Sequence, residues 1–153
     1  MEANNIEITT DIQQSLTAFL KKSSYFSIAL LCDENTYELC LPKIIDCLPE
    51  HWLIQIESGE ENKTIDTCQQ IWMALTEGGF DRNALLINLG GGVISDMGGF
   101  AASTYKRGID FINIPTTLLS QVDASVGGKL GIDFSHFKNH IGLFNEPKMI
   151  FID

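Results

Sequence analysis

Between Arg107 and Asn139 the chain brings together Thr116, Thr117, Asp123, Lys129 and Lys138, with glycine pairs close by. Structural roles alone do not call for two lysines, an asparagine, an aspartate and two threonines beside glycine turns. Such a set suits a small molecule carrying hydroxyls, a phosphate or a carboxylate. Upstream, Gly90-Gly91-Gly92-Val93-Ile94-Ser95-Asp96 follows an apolar run. A glycine turn there lets backbone N–H groups approach a phosphate, and the helix start behind it adds partial positive charge. As a dinucleotide fingerprint the turn is imperfect, because Ser95 stands where a third glycine belongs. It also lacks the Lys-Ser/Thr ending of a P-loop. A tight strand-to-helix turn remains the alternative, and Asp96 is either a ligand contact or an ordinary helix-dipole partner.

The elements that would position these groups alternate along the chain. Short apolar runs at Phe26–Cys32, Trp52–Glu57, Ala84–Leu89, Phe111–Ile114 and Met149–Ile152 predict buried strands. Ile65, Cys68, Ile71, Trp72 and Leu75 share one helical face, and Gly78-Gly79 ends that helix. Ile12, Leu16, Phe19 and Leu20 form another such face behind caps at Thr10 or Asp11. Strands alternating with helices predict an α/β fold, a Rossmann-like three-layer domain with a mostly parallel sheet. Pro115 ends its strand, Thr116-Thr117 open the next helix, Gln121, Asp123 and Ser125 set polar groups among apolar ones, and Gly127-Gly128 present Lys129.

Composition narrows the function classes. The 153 residues carry a formal net charge of -10, so a polyanion such as nucleic acid or an anionic membrane would be repelled. Residues 1–104 hold 15 of the 20 acids and 5 of the 10 Lys and Arg, whereas residues 105–153 hold 5 of each. Ten of the 13 glycines lie between Gly90 and Gly142, which places an anion site in the neutral back half. Cys32, Cys40, Cys47 and Cys68 show neither C-x-x-C nor zinc spacing and read as buried thiols of a cytoplasmic protein. Met1-Glu2-Ala3-Asn4-Asn5 lacks signal-peptide character, and no apolar run is long enough to span a bilayer.

The combined pattern resembles the 3-dehydroquinate synthase family of sugar-phosphate cyclases. Gly-Gly-Gly-Val-Ile-x-Asp, Arg-Gly-Ile-x-Phe-Ile, Pro-Thr-Thr-Leu-Leu-x-Gln-Val-Asp-x-Ser-Val-Gly-Gly-Lys and Lys-Asn-x-Ile-Gly-x-Phe stand in the family's order, and the strong match covers residues 82–153. Cys32-Asp33-Glu34-Asn35 and Glu60-Glu61-Asn62-Lys63 extend it more thinly. The resemblance implies conversion of 3-deoxy-arabino-heptulosonate 7-phosphate to 3-dehydroquinate and phosphate, with NAD used catalytically and a divalent metal, zinc or cobalt. It places Asp33 and Asn35 at the adenosine end of NAD, Glu60 and Lys63 near its ribose, and Gly91, Gly92 and Val93 under the pyrophosphate. Asp96 falls near the nicotinamide ribose, with Thr116, Thr117 and Lys138 around the cofactor. Asp123, Lys129 and Asn139 become substrate contacts and catalytic groups, and Arg107 reaches the phosphate in a neighbouring subunit, which implies a homodimer.

Each assignment has a plainer counterpart. Asp33-Glu34-Asn35 reads as a polar strand-to-helix loop, Glu60 and Lys63 as an i, i+3 surface ion pair, and the threonines as helix caps. Lys129 reads as a solvated loop cation, and Arg107 as a surface arginine after a helix. Ser95, the Lys129-Leu-Gly-Ile-Asp133 stretch, Phe137 and His140 depart from the family's usual residues. His51 reads as structural, and His136 and His140 are not expected to bind metal, since the family's Glu and two His ligands lie in a helical C-terminal domain that this chain lacks. The expectation is therefore an isolated N-terminal NAD-binding domain, residues 1–153, inactive alone. Related cyclases of the 2-deoxy-scyllo-inosose or aminodehydroquinate synthase type, or a non-catalytic nucleotide-binding module, are the alternatives.

Overall fold

The computed structural model describes residues 5–124 and 127–153. Six strands form one parallel sheet: β1 (Ile6–Ile8), β2 (Ser27–Asp33), β3 (Trp52–Ile56), β4 (Ala84–Gly90), β5 (Asp110–Pro115) and β8 (Ile150–Ile152), in the spatial order β1-β8-β5-β4-β2-β3. Two more strands, β6 (Lys129–Phe134) and β7 (Phe137–Phe144), pair antiparallel as a separate hairpin. The five predicted strands are present to within a residue or two at their ends. β1 was not expected, because three residues are too short to show a period.

Helices cover both faces, so the domain has three layers. On one face α3 (Ile65–Glu77) and α4 (Gly92–Thr104) pack on the sheet together with Leu130 and Ile132 of the hairpin. On the other lie α1 (Ile12–Lys22) and the segment after α2 (Glu34–Leu39), through Leu16, Leu41 and Ile44. All seven residues of β4 are buried, which is why its sequence shows no alternation. Asp11 is the true cap of α1, accepting from the Gln14 N–H, and Thr64 caps α3 in the same way. Gly79, at φ 71°, turns the chain after α3 in a backbone region that glycine enters freely.

The strand order places a topological switch between β2 and β4. The chain leaves β2 towards β3 over one face and leaves β4 towards β5 over the other. In open α/β sheets that divergence opens a crevice beyond the carboxyl ends of the strands. The loops after β2 and β4, carrying Asp33 and the three glycines, flank it.

Two expectations need correction. Cys32 and Cys68 are buried, but Cys40 and Cys47 are half-exposed, because the segment after α2 is short 3-10 turns rather than a long packed helix. The stretch Lys129–Phe144, expected only to present ligands, is a hairpin. Its two-residue turn, Ser135-His136, has Ser135 at φ 57° and none of the Asn-Gly or Asp-Gly chemistry that announces such turns in a sequence.

Candidate active site

The glycine turn is a cradle that side chains would fill. A Cβ on Gly90 would lie 2.5 Å from Ile94, and one on Gly91 would meet Thr117 at 3.4 Å. Helix α4 starts at Gly92 with Gly91 as its cap, no acid in its first turn and, among the described residues, no side chain capping its first N–H groups. Uncapped amides at the positive end of a helix make an anion site. Ser95 fits without disturbing it, buried with its hydroxyl donating back to the Gly91 carbonyl.

Asp96, on the next turn of α4, faces a cleft of about 640 Å³ that Asp123, Lys129 and Asn139 also line. Glycines 127, 131 and 142 keep its walls low. Asp123 sits in a π-helical turn (Ser120–Ala124), Lys129 opens β6 and Asn139 lies in β7 at φ 51°. Four elements thus deliver four polar side chains to one space. Ser125, expected to contribute here, lies outside the described residues.

Lys63 underlies this group. It is 4% exposed, and its Nζ donates to Asp96 Oδ2 at 2.7 Å and to Asn139 Oδ1 at 2.6 Å. Burial pushes the Asp96 carboxyl above the ordinary carboxylate value; the Lys63 hydrogen bond and charge oppose that rise, and Glu60 and Asp123 add to it. Glu60 and Lys63 do not pair with each other. Glu60 instead lies 3.6 Å from Lys138, which is 3.5 Å from Asp133. Lys63 follows the 3-10 turn Glu60–Asn62 at a non-helical ψ of 66°, and its side chain is held by Asp96 and Asn139 rather than by Glu60.

Asp133 was not singled out as a site residue. It accepts the Asn139 N–H at 2.8 Å, and its own N–H donates to the Lys63 carbonyl at 2.9 Å. Partial burial would raise its carboxyl, but the Asn139 N–H, a hydrogen bond with Glu60 and the charges of Lys138 and Lys63 bring it below the ordinary value. No local pattern marks it; the signal exists only once β6 and β7 pair.

The remaining expected residues are placed as follows. Asp33 Oδ1 accepts from the N–H groups of Asn35 and Thr36 at 2.9 Å each, in a capping box at the start of α2. The loop read there as the plainer alternative is therefore a helix. Beside it Glu34 accepts from Ser58, joining the turns after β2 and β3. The Thr116 N–H donates to the Gly90 carbonyl at 3.1 Å, and Thr117 Oγ1 caps the following turn by accepting the Ser120 N–H at 3.2 Å. Arg107 is exposed, at φ 71°, just beyond the C-terminal end of α4, and it is not among the residues that line the cleft. His140 packs with Phe134 and Phe137, and His51 Nδ1 lies 2.9 Å from the Pro49 carbonyl.

Residues 53–153 match the family model for the N-terminal region of 3-dehydroquinate synthase. The chain belongs to the 3-dehydroquinate synthase family. It is 46% identical to the 3-dehydroquinate synthase of Parabacteroides distasonis over the whole of this chain and 44% of that protein. It therefore spans under half the length of that relative. Among solved structures, a 2-epi-5-epi-valiolone synthase from Streptomyces hygroscopicus with NAD+ and Zn2+ bound superposes with a TM-score of 0.87 at 26% identity, covering all of this chain and 43% of the other. A 2-deoxy-scyllo-inosose synthase gives 0.88 at 22% identity over 97% of this chain and 43% of the other, a likeness of fold. Asp96, which lines the cleft, stands on α4 four residues after Gly92, at the start of the helix that follows the glycine turn.

Proposed function

We propose that this chain is the NAD-binding domain of a 3-dehydroquinate synthase, an enzyme that eliminates phosphate from 3-deoxy-arabino-heptulosonate 7-phosphate and closes the carbocycle of 3-dehydroquinate. The observation that carries the reading is the uncapped glycine turn of α4 adjoining a cleft lined by Asp96, Asp123, Lys129 and Asn139. The Streptomyces relative's bound NAD+ and Zn2+ support it.

The cradle fits a dinucleotide. The amides of Gly91, Gly92 and Val93 would hold the pyrophosphate, Asp33 and Asn35 the adenosine end, and Glu60 with Lys63 a ribose. Asp96, Thr116, Thr117 and Lys138 would surround the nicotinamide half. When bound, NAD supplies a hydride acceptor that turns a secondary alcohol into a ketone and makes the neighbouring C–H acidic. Lys129 would hold the substrate carboxylate or its reacting hydroxyls by charge-assisted hydrogen bonds. Asn139 would orient a hydroxyl, and Asp123 would accept a hydroxyl proton within hydrogen-bond reach. Asp33 keeps Oδ2 free of hydrogen bonds among the described residues, so its helix-capping role and a ligand role are compatible.

A divalent metal belongs to the same reading, with its ligands outside this chain. Among the described residues no three His, Cys, Asp or Glu side chains are grouped to hold one. Arg107, exposed and not among the residues lining its own chain's cleft, would serve the phosphate in a second subunit, making the enzyme a homodimer. A cytoplasmic location belongs to the same proposal; among the described residues no helix is long and apolar enough to cross a membrane.

The test is an NMR titration of the chain with NAD+. Shifts centred on Gly91, Gly92 and Val93, lost in Gly91→Val, are expected; their absence would overturn the cofactor site. In a protein of the relatives' length, Lys129→Ala should lower kcat/KM for the heptulosonate phosphate by about 10²-fold or more. Cyclisation of glucose 6-phosphate in its place would overturn the substrate.

A further inference from the structure

Lys63 occupies a position that neither half of the cleft explains alone. Its backbone precedes α3, yet its ammonium lies between α4 and the hairpin, holding Asp96 at 2.7 Å and Asn139 at 2.6 Å. These partners stand 33 and 76 residues away in the chain. The side chain is 5% exposed and that of Asp96 18% exposed, so solvent screens this bond far less than it screens the pairs of Lys138. Beneath it the Lys63 carbonyl takes the Asp133 N–H, and Asp133 in turn takes the Asn139 N–H. The two routes meet at Asn139, whose backbone is held at φ 51°.

We propose that Lys63 is a positioning residue that couples the two ligand subsites of the cleft, transmitting occupancy at Asp96 to the placement of Asn139. The inference rests on the cofactor reading above and deepens it. A ligand hydroxyl bonded to the free oxygen of Asp96 restrains that carboxylate, the restrained carboxylate restrains the ammonium, and the ammonium sets Asn139. A second ligand reaching Asn139 then meets a side chain already ordered and binds more tightly. By linkage the effect is reciprocal, and a coupling on the order of 10-fold in affinity falls within the ordinary range for such links. Lys63 need not touch the reacting atoms for this to hold.

The experiment uses the whole chain, NAD+ as the probe and Lys63→Met, which keeps the stem but removes the ammonium. Without ligand, amide exchange across Lys129–Phe144 should quicken about 10-fold in the variant while β4 stays protected. On adding NAD+ to the unaltered chain, the Gly92 and Val93 amides, the Asn139 side-chain amide and, beyond it, the Ile141 backbone amide should all shift. In Lys63→Met, which also removes a ribose contact, the first two should still shift, at a higher NAD+ concentration, and the third should not. An unchanged hairpin exchange rate, or an Asn139 response that survives in Lys63→Met, overturns the proposal. NAD+ shifts at Gly92 and Val93 without one at Asn139 in the unaltered chain would sink the coupling and leave the cofactor reading standing; no shift at any of them sinks both. Should Lys63→Met fail to fold, Asn139→Gly removes the acceptor at an exposed, positive-φ position that glycine tolerates. There the Ile141 backbone amide should lose its response to NAD+ while Gly92 retains it, and a retained response at Ile141 overturns the proposal.

Discussion

Strands β4 and β7 belong to the same small domain but are held by different forces. Every residue of β4 is buried, with neighbours β2 and β5 pairing along both its edges. In β7 only Leu143 is even half-buried. Each fully buried Leu or Ile of β4 contributes about 1.5–3 kcal/mol of transfer free energy. The hairpin relies on Leu130 and Ile132 beneath it and on the polar link through Lys63, Asp133 and Lys138. Scaffold and site therefore differ in what can disturb them. The sheet resists small changes, whereas the hairpin, which carries Lys129 and Asn139, depends on a handful of polar contacts.

Substitutions can probe that contrast, beginning with the largest effect. Leu86→Ala in β4, fully buried, should cost about 2–5 kcal/mol by urea unfolding, with sheet and hairpin signals lost together. Loss confined to one region would break the comparison. Gly98→Ala should cost about 1–3 kcal/mol by thermal or urea unfolding, since its Cβ would collide with the side-chain oxygen of Asn88. That oxygen is buried and has no hydrogen-bond partner among the described residues, while the Asn88 amide donates to Asn113 at 3.0 Å. Amide shifts at Asn88 and Asn113 would locate the strain in the sheet, and a neutral substitution would show that α4 can move.

Acid should act on the hairpin first. The Asp133 carboxyl titrates below its ordinary value of 3.8 in the folded chain, so its contribution is present above that value and is lost as pH falls through the folded one. Hydrogen exchange at about pH 3 should show Lys129–Phe144 loosening relative to about pH 5 while β4 remains protected. Simultaneous loss of both would remove the distinction. The smallest effect belongs to Lys138→Ala. Its side chain is 70% exposed and its two ion pairs are 3.5 and 3.6 Å long, so stability should change by no more than about 0.5 kcal/mol. A larger loss would mean that the outer part of the clamp matters as much as Lys63.

Legibility in the sequence followed the same division. The runs at Ala84–Leu89 and Phe111–Ile114 could be read as strands because burial on both faces demands apolar residues without interruption, a local signature. Helices α1 and α3 were legible from period and cap. The hairpin was not, since Ser135-His136 lacks turn chemistry and β7 has too little buried surface to impose alternation. Among the expected site residues, Asp96, Asp123, Lys129 and Asn139 do meet in one cleft, and Arg107 does not join them.

Taken alone, the order of residues determined the parallel sheet, the glycine turn at the end of β4 and the family to which the chain belongs, because each rests on contiguous patterns. The partners of Lys63 were decided by the tertiary structure. Spacing suggested Glu60, three residues away, but burial left the ammonium within reach of Asp96 and Asn139 and put Glu60 beside Lys138 instead. A charge pairs with whatever the packed chain brings within a few ångströms, and distance along the sequence does not enter Coulomb's law.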